Sequence, residues 1–313
     1  MTHSLQHDSE TTANGVSEHT PHRALVLGGG GSTGNAWLIG VIAGLFDAGL
    51  DVTTADLTVG TSAGSTAAAQ IAGATPPELL ATTLAPIPPQ YAVRDGAGRG
   101  HNPGRPVVDH LARINAIIAG SRDAADLRRR MGASALELDA ASDGTWTEKW
   151  RATVAQRLPS QRWPERTMNI TALDARSGEG AVFDRDSGVD LVDAVAASCS
   201  SSLPFRIGDN LYIDGGYRTN AENADLATGY GRVLVLSPFG GRSLVPAAWG
   251  VHLATQVDVL RAGGSSVETI FPDSASEHLF GVNGMDLSLR PAAAQAGYDQ
   301  GSSLADELAE FWG

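Results

Sequence analysis

Gly60-Thr61-Ser62-Ala63-Gly64 follows the apolar run Leu57-Thr58-Val59 and precedes the small-residue stretch from Ser65 to Gly73. That order reads as strand, tight turn, helix. A serine at the centre of G-x-S-x-G sits in a strained backbone conformation, so the residues two before and two after it must be nearly side-chainless for the chain to fold back. Both Gly60 and Gly64 meet that demand. The turn would lift the Ser62 hydroxyl above a sheet edge at the positive end of a helix, where developing negative charge is tolerated. Ser62 is therefore the leading nucleophile candidate.

One element upstream, Ala24-Leu25-Val26-Leu27 reads as a short buried strand running into Gly28-Gly29-Gly30-Gly31-Ser32-Thr33-Gly34. From Asn35 to Ala48 the apolar residues Trp37, Leu38, Val41, Ile42, Leu45 and Phe46 recur at helical spacing, and Gly49 supplies a stop. With Leu57 to Val59 as the second strand, this is a βαβα unit with a parallel pair.

The glycine loop has two uses. Gly29-x-Gly31-x-x-Gly34 between strand and helix is the dinucleotide fingerprint. That fingerprint expects the next strand to end in an acidic residue for the ribose, whereas here it ends in the serine turn, and Asp51 and Asp56 precede the strand. The other use is to present backbone N–H groups to an oxyanion. In acyl transfer each such donor lowers the barrier by about 2.7 to 4 kcal/mol. The expected donors are Ala63, just after the nucleophile, and Gly29, Gly30 and Gly31. Two loops leaving neighbouring parallel strands at the same sheet end can converge on one point.

A serine nucleophile also needs a proton acceptor. Of the eight histidines, His3, His7, His19 and His22 lie near the N-terminus, His101 and His110 within residues 75 to 165, and only His252 and His278 after the later strands. None closes a strand beside a small-residue turn. Asp214 is better placed, because it follows Asn210-Leu211-Tyr212-Ile213 and precedes Gly215 and Gly216, which let a carboxylate stand clear at a sheet edge. By spacing alone an ordinary Asp-Gly turn remains an equal alternative.

Around this centre the chain reads as α/β. Residues 75 to 165 have a different texture: a helix from Pro76 to Leu84, prolines at 86, 88 and 89, a Gly-rich basic loop from Arg94 to Arg105, then helices over Val107–Ala119, Ala124–Met131 and Thr147–Leu158. This is a mostly helical insertion, suited equally to a lid and to a layer packed on the sheet. Strands are expected at Met168–Leu173, Ala181–Phe183, Leu211–Ile213, Val233–Leu236 and Val267–Phe271, with helices at Val189–Ala197, Trp249–Ala262 and Pro291–Trp312. Gly297 and Gly301 weaken the last helix. The expected organisation is a disordered tail over residues 1–23 and one α/β domain over 24–313.

Composition narrows the partners. A net charge of −13 argues against nucleic acid and gives no general attraction to anionic lipid surfaces, so any transient membrane-surface contact has to be local and apolar. Thirty-seven glycines alongside 42% apolar residues suit tight strand-to-helix turns. Cys199 is the only cysteine, which excludes an intramolecular disulfide and a thiolate metal cluster within one chain. Residues Met1 to Arg23 lack an apolar signal-peptide core and no stretch approaches the length of a membrane span, so a cytoplasmic protein is expected.

Taken together, these residues resemble the patatin-like acyl hydrolases. Gly28 to Gly34 is similar to their oxyanion loop, Gly60 to Gly64 to their nucleophile turn, and Asp214-Gly215-Gly216 to their catalytic Asp-Gly-Gly motif, in the same order, over about residues 24 to 230 including Asn220 to Leu226. The resemblance implies a three-layer α/β sandwich with a mostly parallel sheet. It also implies a Ser62–Asp214 dyad without histidine, and hydrolysis of lipid or other acyl esters with no cofactor, calcium or other metal. The readings it competes with are an α/β-hydrolase esterase using His252 or His278 in a triad, and a non-catalytic acyl- or nucleotide-binding module. Two departures stand out: Thr33 occupies a position that is often basic in the family, and the proline of the Ala197 to Pro204 segment is displaced.

Overall fold

A computed structural model of the chain describes residues 22–85 and 105–313. Residues 1–21 of the expected tail, the prolines at 86, 88 and 89, and nearly all of the basic loop lie outside the described residues; Arg23, expected to end the tail, instead opens the first strand.

Strand β1 (Arg23–Leu27) leads into helix α1 (Gly31–Asp47), and β2 (Leu57–Gly60) into α2 (Ala63–Gly73). The helices α3 (Pro76–Leu84), α4 (Arg105–Gly120), α5 (Ala124–Ala140) and α6 (Trp146–Ala155) follow. Then come β3 (Thr167–Asp174), β4 (Gly180–Phe183), α7 (Leu191–Ser198), β5 (Phe205–Ile207) and β6 (Asn210–Asp214). The described chain closes with β7 (Arg232–Leu236), α8 (Leu253–Ala262), β8 (Ser266–Ile270) and α9 (Arg290–Trp312). The strands form one eight-stranded sheet in the order β5-β6-β3-β2-β1-β7-β8, with β4 on β3. From β3 to β8 along that order all pairings are parallel, while β4 and β6 run antiparallel to β3 and β5 antiparallel to β6.

Alternation along β1 makes the layers, because successive side chains of a strand point to opposite faces. Leu25 and Leu27 enter a core with α1, α7 and α9, whereas Ala24 and Val26 enter a second core with Val257 and Leu260 of α8. A third cluster joins Met131 and Ala135 of α5 to Leu173, Leu211 and Ile213. Helices thus cover both faces of a mostly parallel sheet, a three-layer α/β arrangement. Fully burying a leucine such as Leu25 or Leu27 contributes about 1.5 to 3 kcal/mol, and these strand residues are completely buried.

Three differences from the sequence expectations have physical causes. Helix α5 runs nine residues past Met131, to Ala140, through Gly132, where a Cβ would lie 2.2 Å from the Ala175 carbonyl oxygen. The glycine there serves close helix–strand packing and does not end the helix. The stretch from Trp249 is broken: a short 3-10 turn ends at Trp249, Gly250 takes φ +69°, and α8 begins at Leu253. The glycines of α9 are a packing device. A Cβ on Gly297 would meet the Trp37 carbonyl oxygen at 2.4 Å, and one on Gly40 of α1 the Ala294 oxygen at 2.1 Å, so paired glycines let α1 and α9 cross at backbone distance.

Candidate active site

Strand β3 is the ruler that sets the site. Gly60 of β2 pairs with Ile170, and Asp214 of β6 pairs with Ala172 on the other edge of β3. Ser62, two residues beyond Gly60, therefore stands level with Ala172, as Asp214 does. The Ser62 Oγ donates a hydrogen bond to Asp214 Oδ2 at 2.7 Å.

The serine turn has the strain that its sequence demands, with Ser62 at φ 52° and ψ −116°. Such backbone conformations cost on the order of 1 to 3 kcal/mol and persist only where surroundings over-determine them. Here the Ser62 N–H donates to Ser198 Oγ at 2.9 Å, and the Ser62 carbonyl accepts from the Cys199 thiol at 3.1 Å and Ser65 Oγ at 2.6 Å. Gly64 has no room for a side chain, since a Cβ would lie 1.9 Å from the Leu27 carbonyl oxygen. Despite its displaced proline, the Ala197 to Pro204 segment thus clamps the turn. Cys199 acts as a donor there, and burial pushes its thiol up, away from the reactive thiolate.

Asp214 is buried, and burial pushes its carboxyl up to about 6, against the lowering effect of the Gly216 N–H at 2.8 Å and the Ser62 hydroxyl. Its own N–H donates to the Ser200 carbonyl at 2.9 Å. Gly215 is required because the chain turns across β3, where a Cβ would fall 2.1 Å from Thr171 Oγ1. Behind the pair, Asn223 in the left-handed region sends its Nδ2 to Thr61 Oγ1 at 3.0 Å and to the Gly215 carbonyl at 3.0 Å. One amide so ties the serine turn to the aspartate turn.

The glycine loop ends β1 next to the serine turn, as two parallel neighbours require. The Gly29 N–H is bonded to the Ala221 carbonyl at 2.8 Å, so it is already engaged and the expectation of a Gly29 donor is corrected. Among the described residues the N–H groups of Gly30, Gly31 and Ala63 have no acceptor. Gly31 takes φ +67°, and Gly34 packs its open face on Pro238. Thr33 is buried with its hydroxyl unpartnered among the described residues, and the cation at the loop comes from elsewhere. Arg290, at the start of α9, donates through Nη1 to the Ser32 carbonyl at 2.8 Å and to Asn35 Oδ1 at 3.3 Å.

None of the described histidines reaches the pair. His252 Nε2 lies 2.8 Å from the Val245 carbonyl, His278 Nδ1 lies 3.0 Å from the Ala275 carbonyl, and His110 contacts Arg113 and Ser202. Ser62 and Asp214 open instead into a cavity of about 2180 Å³ walled by apolar groups such as Leu79, Ile114, Met131, Leu158 and Phe280. Sequence reasoning missed Ser198, Asn223, Asn35 and Arg290. Ser198 and Asn223 lie within motif neighbourhoods, but nothing local marks Arg290. Among the described residues no helix is long and apolar enough to cross a membrane.

A family model for patatin-like phospholipase matches residues 25–227. No curated protein matches the chain. Among solved structures, VipD from Legionella pneumophila aligns at 15% identity and a TM-score of 0.41, covering 92% of this chain and 67% of that one. The type III effector ExoU aligns at 17% identity and a TM-score of 0.38, covering 92% of this chain and 53% of its own length. ExoU of Pseudomonas aeruginosa in complex with SpcU aligns at 16% identity and 0.37, covering 92% and 52%. The chain thus spans about half the length of ExoU.

Proposed function

The chain belongs to the patatin-like phospholipase family, and from that premise we propose that it is a serine acyl hydrolase cleaving carboxylic esters of lipids through a Ser62–Asp214 dyad. The observation that carries the reading is the 2.7 Å hydrogen bond from a serine held at positive φ to a buried carboxylate.

The chemistry follows from the atoms in contact. Asp214 Oδ2 takes the proton as Ser62 Oγ attacks the ester carbonyl, and the carbonyl π electrons move onto oxygen. The N–H groups of Gly30, Gly31 and Ala63 receive that oxyanion. Collapse expels the alcohol, which leaves with the proton held by Asp214, and Ser62 carries the acyl group. Water attacks the acyl-enzyme with Asp214 again as base, releasing the fatty acid and restoring the serine. No step calls on a histidine or a metal.

The apolar walls of the cavity support an acyl chain as the occupant. Among the described residues Leu244, Val282 and Met285 are large apolar side chains left exposed, at 61%, 71% and 63%, and all three line the same cavity. An apolar rim on a chain of charge −13 suits entry of substrate from a lipid aggregate by local contact.

A fluorophosphonate probe tests the nucleophile: labelling of the protein, lost in Ser62→Ala, is expected, and labelling that survives the substitution refutes the assignment. A panel of phospholipids, lysophospholipids, glycerides and p-nitrophenyl esters, with Ser62→Ala as control, then defines the substrate. Replacing His252 or His278 by alanine should leave turnover within about tenfold, whereas loss of a triad base costs about four orders of magnitude.

A further inference from the structure

Three guanidinium groups line the cavity with Ser62; Arg242 pairs with Glu277, whereas Arg290 and Arg157 have no carboxylate partner among the described residues. The carboxylates of the same cavity are committed away from these two, Glu78 to Thr75, Glu277 to Arg242 and Asp214 to Ser62 and Gly216.

The placement of Arg290 and Arg157 is fixed by a relay of amides. Arg290 Nη1 and Nη2 both reach Asn35 Oδ1 at 3.3 Å, and Nη1 also reaches the Ser32 carbonyl. Asn35 Nδ2 donates to Gln70 Oε1 at 2.9 Å and contacts the Ala63 carbonyl at 3.4 Å. Gln70 Nε2 in turn donates to the Arg157 carbonyl at 3.2 Å. Arg290 thus holds the residue next to Gly31, and Arg157 is joined to the helix that opens at Ala63. The Arg157 guanidinium stacks over Trp150 at 5.2 Å, and its N–H groups have no acceptor among the described residues. Among the described residues the Arg290 Nε–H has no acceptor either.

Burial and then the like charge of Arg157 push Arg290 down to about 10. A half-buried guanidinium beside a second cation gains by receiving an oxyanion, for which its planar fork is shaped. In a chain with a net charge of −13, two cations in one cavity with no carboxylate partner among the described residues are a local feature against the global field.

We infer that Arg290 and Arg157 form an anion subsite in the cavity of Ser62 that takes the phosphate or carboxylate group of an anionic acyl lipid. The subsite rests on the acyl-hydrolase reading for its substrate, and it assigns that substrate a charge. Arg290 lies beyond residue 227, outside the segment matched by the family model, whereas Arg157 lies within it.

The test is binding to the Ser62→Ala protein, which separates recognition from turnover. Lysophosphatidate and monoacylglycerol with the same acyl chain, both below their aggregation thresholds, are compared by calorimetry, with oleate as a third ligand. The expected result is at least tenfold tighter binding of lysophosphatidate than of monoacylglycerol, with the preference reduced severalfold in Arg157→Gln and in Arg290→Gln. Arg290→Lys should restore part of it, because the charge returns without the fork. Oleate binding with the same arginine dependence also supports the subsite and identifies a fatty carboxylate as a second occupant. Equal affinity for the charged and neutral lipids overturns the proposal, as does a preference that both glutamine variants retain. Arg157 is an exposed side chain, so its variant tests the subsite even where Arg290→Gln disturbs the glycine loop. Arginine-dependent binding without hydrolysis by the unsubstituted protein would leave the subsite standing and remove the acyl-hydrolase reading.

Discussion

Ser62 Oγ donates to Asp214 Oδ2 at 2.7 Å, although 152 positions separate the two residues. Asp214→Asn keeps the shape and an oxygen for the Gly216 N–H but cannot take a proton. The expected outcome is a fall in kcat of about 10² to 10⁴-fold, the range for loss of a general base, with the melting temperature nearly unchanged. Ester-hydrolysis kinetics beside a thermal melt check it.

The pH dependence of turnover should report the same carboxyl. Burial raises Asp214 to about 6, so the base form is lost as pH falls through that value. A plot of log kcat/KM against pH should be flat above about 7 and fall with unit slope below about 6. A descent starting only near 4 would mean a carboxylate with an ordinary environment.

Glu222 gives a separate signature in stability. Burial raises its carboxyl from 4.5 to about 7, while Ser237 Oγ donates to it and lowers it in part. Between those values the folded chain holds a proton that the unfolded chain has released. Stability therefore falls as pH rises from 4.5 to about 7. Glu222→Gln should narrow the difference in melting temperature between about pH 5 and about pH 8, measured by scanning calorimetry.

Gly64→Ala tests the closeness of the two loops. Its Cβ would stand 1.9 Å from the Leu27 carbonyl oxygen, a backbone atom that cannot swing aside. A loss of at least about 2 kcal/mol in denaturant unfolding is expected, as for overpacking in a close-packed core. Gly49→Ala is the comparison: nothing lies within 4 Å of that position, so only its φ of +93° opposes the change.

The local motifs were legible because each states its demand within a few residues. Small residues flanking Ser62, a strand before each glycine turn and helical spacing after it fix strand–turn–helix units without reference to distant chain. The parallel pairing of β1 and β2 follows from the same reading, since a helix connects them. The three-residue strand β5 was not legible, because Phe205-Arg206-Ile207 carries too short a pattern to separate from a loop.

Sequence by itself determined the strained serine turn at Gly60 to Gly64, the glycine loop that precedes it and an aspartate at a strand end. Tertiary structure decided how they meet. Strand β6 runs antiparallel beside β3 in a register that sets Asp214 level with Ser62, and a shift of one residue would turn the carboxylate to the opposite face. It also decided that the Gly29 N–H is spent on Ala221, and that the cation beside the loop is Arg290 of the last helix, remote in the chain from Thr33. Backbone conformation depends on near neighbours and is written locally, whereas register, hydrogen-bond occupancy and the placement of a counter-charge depend on which distant surfaces pack together.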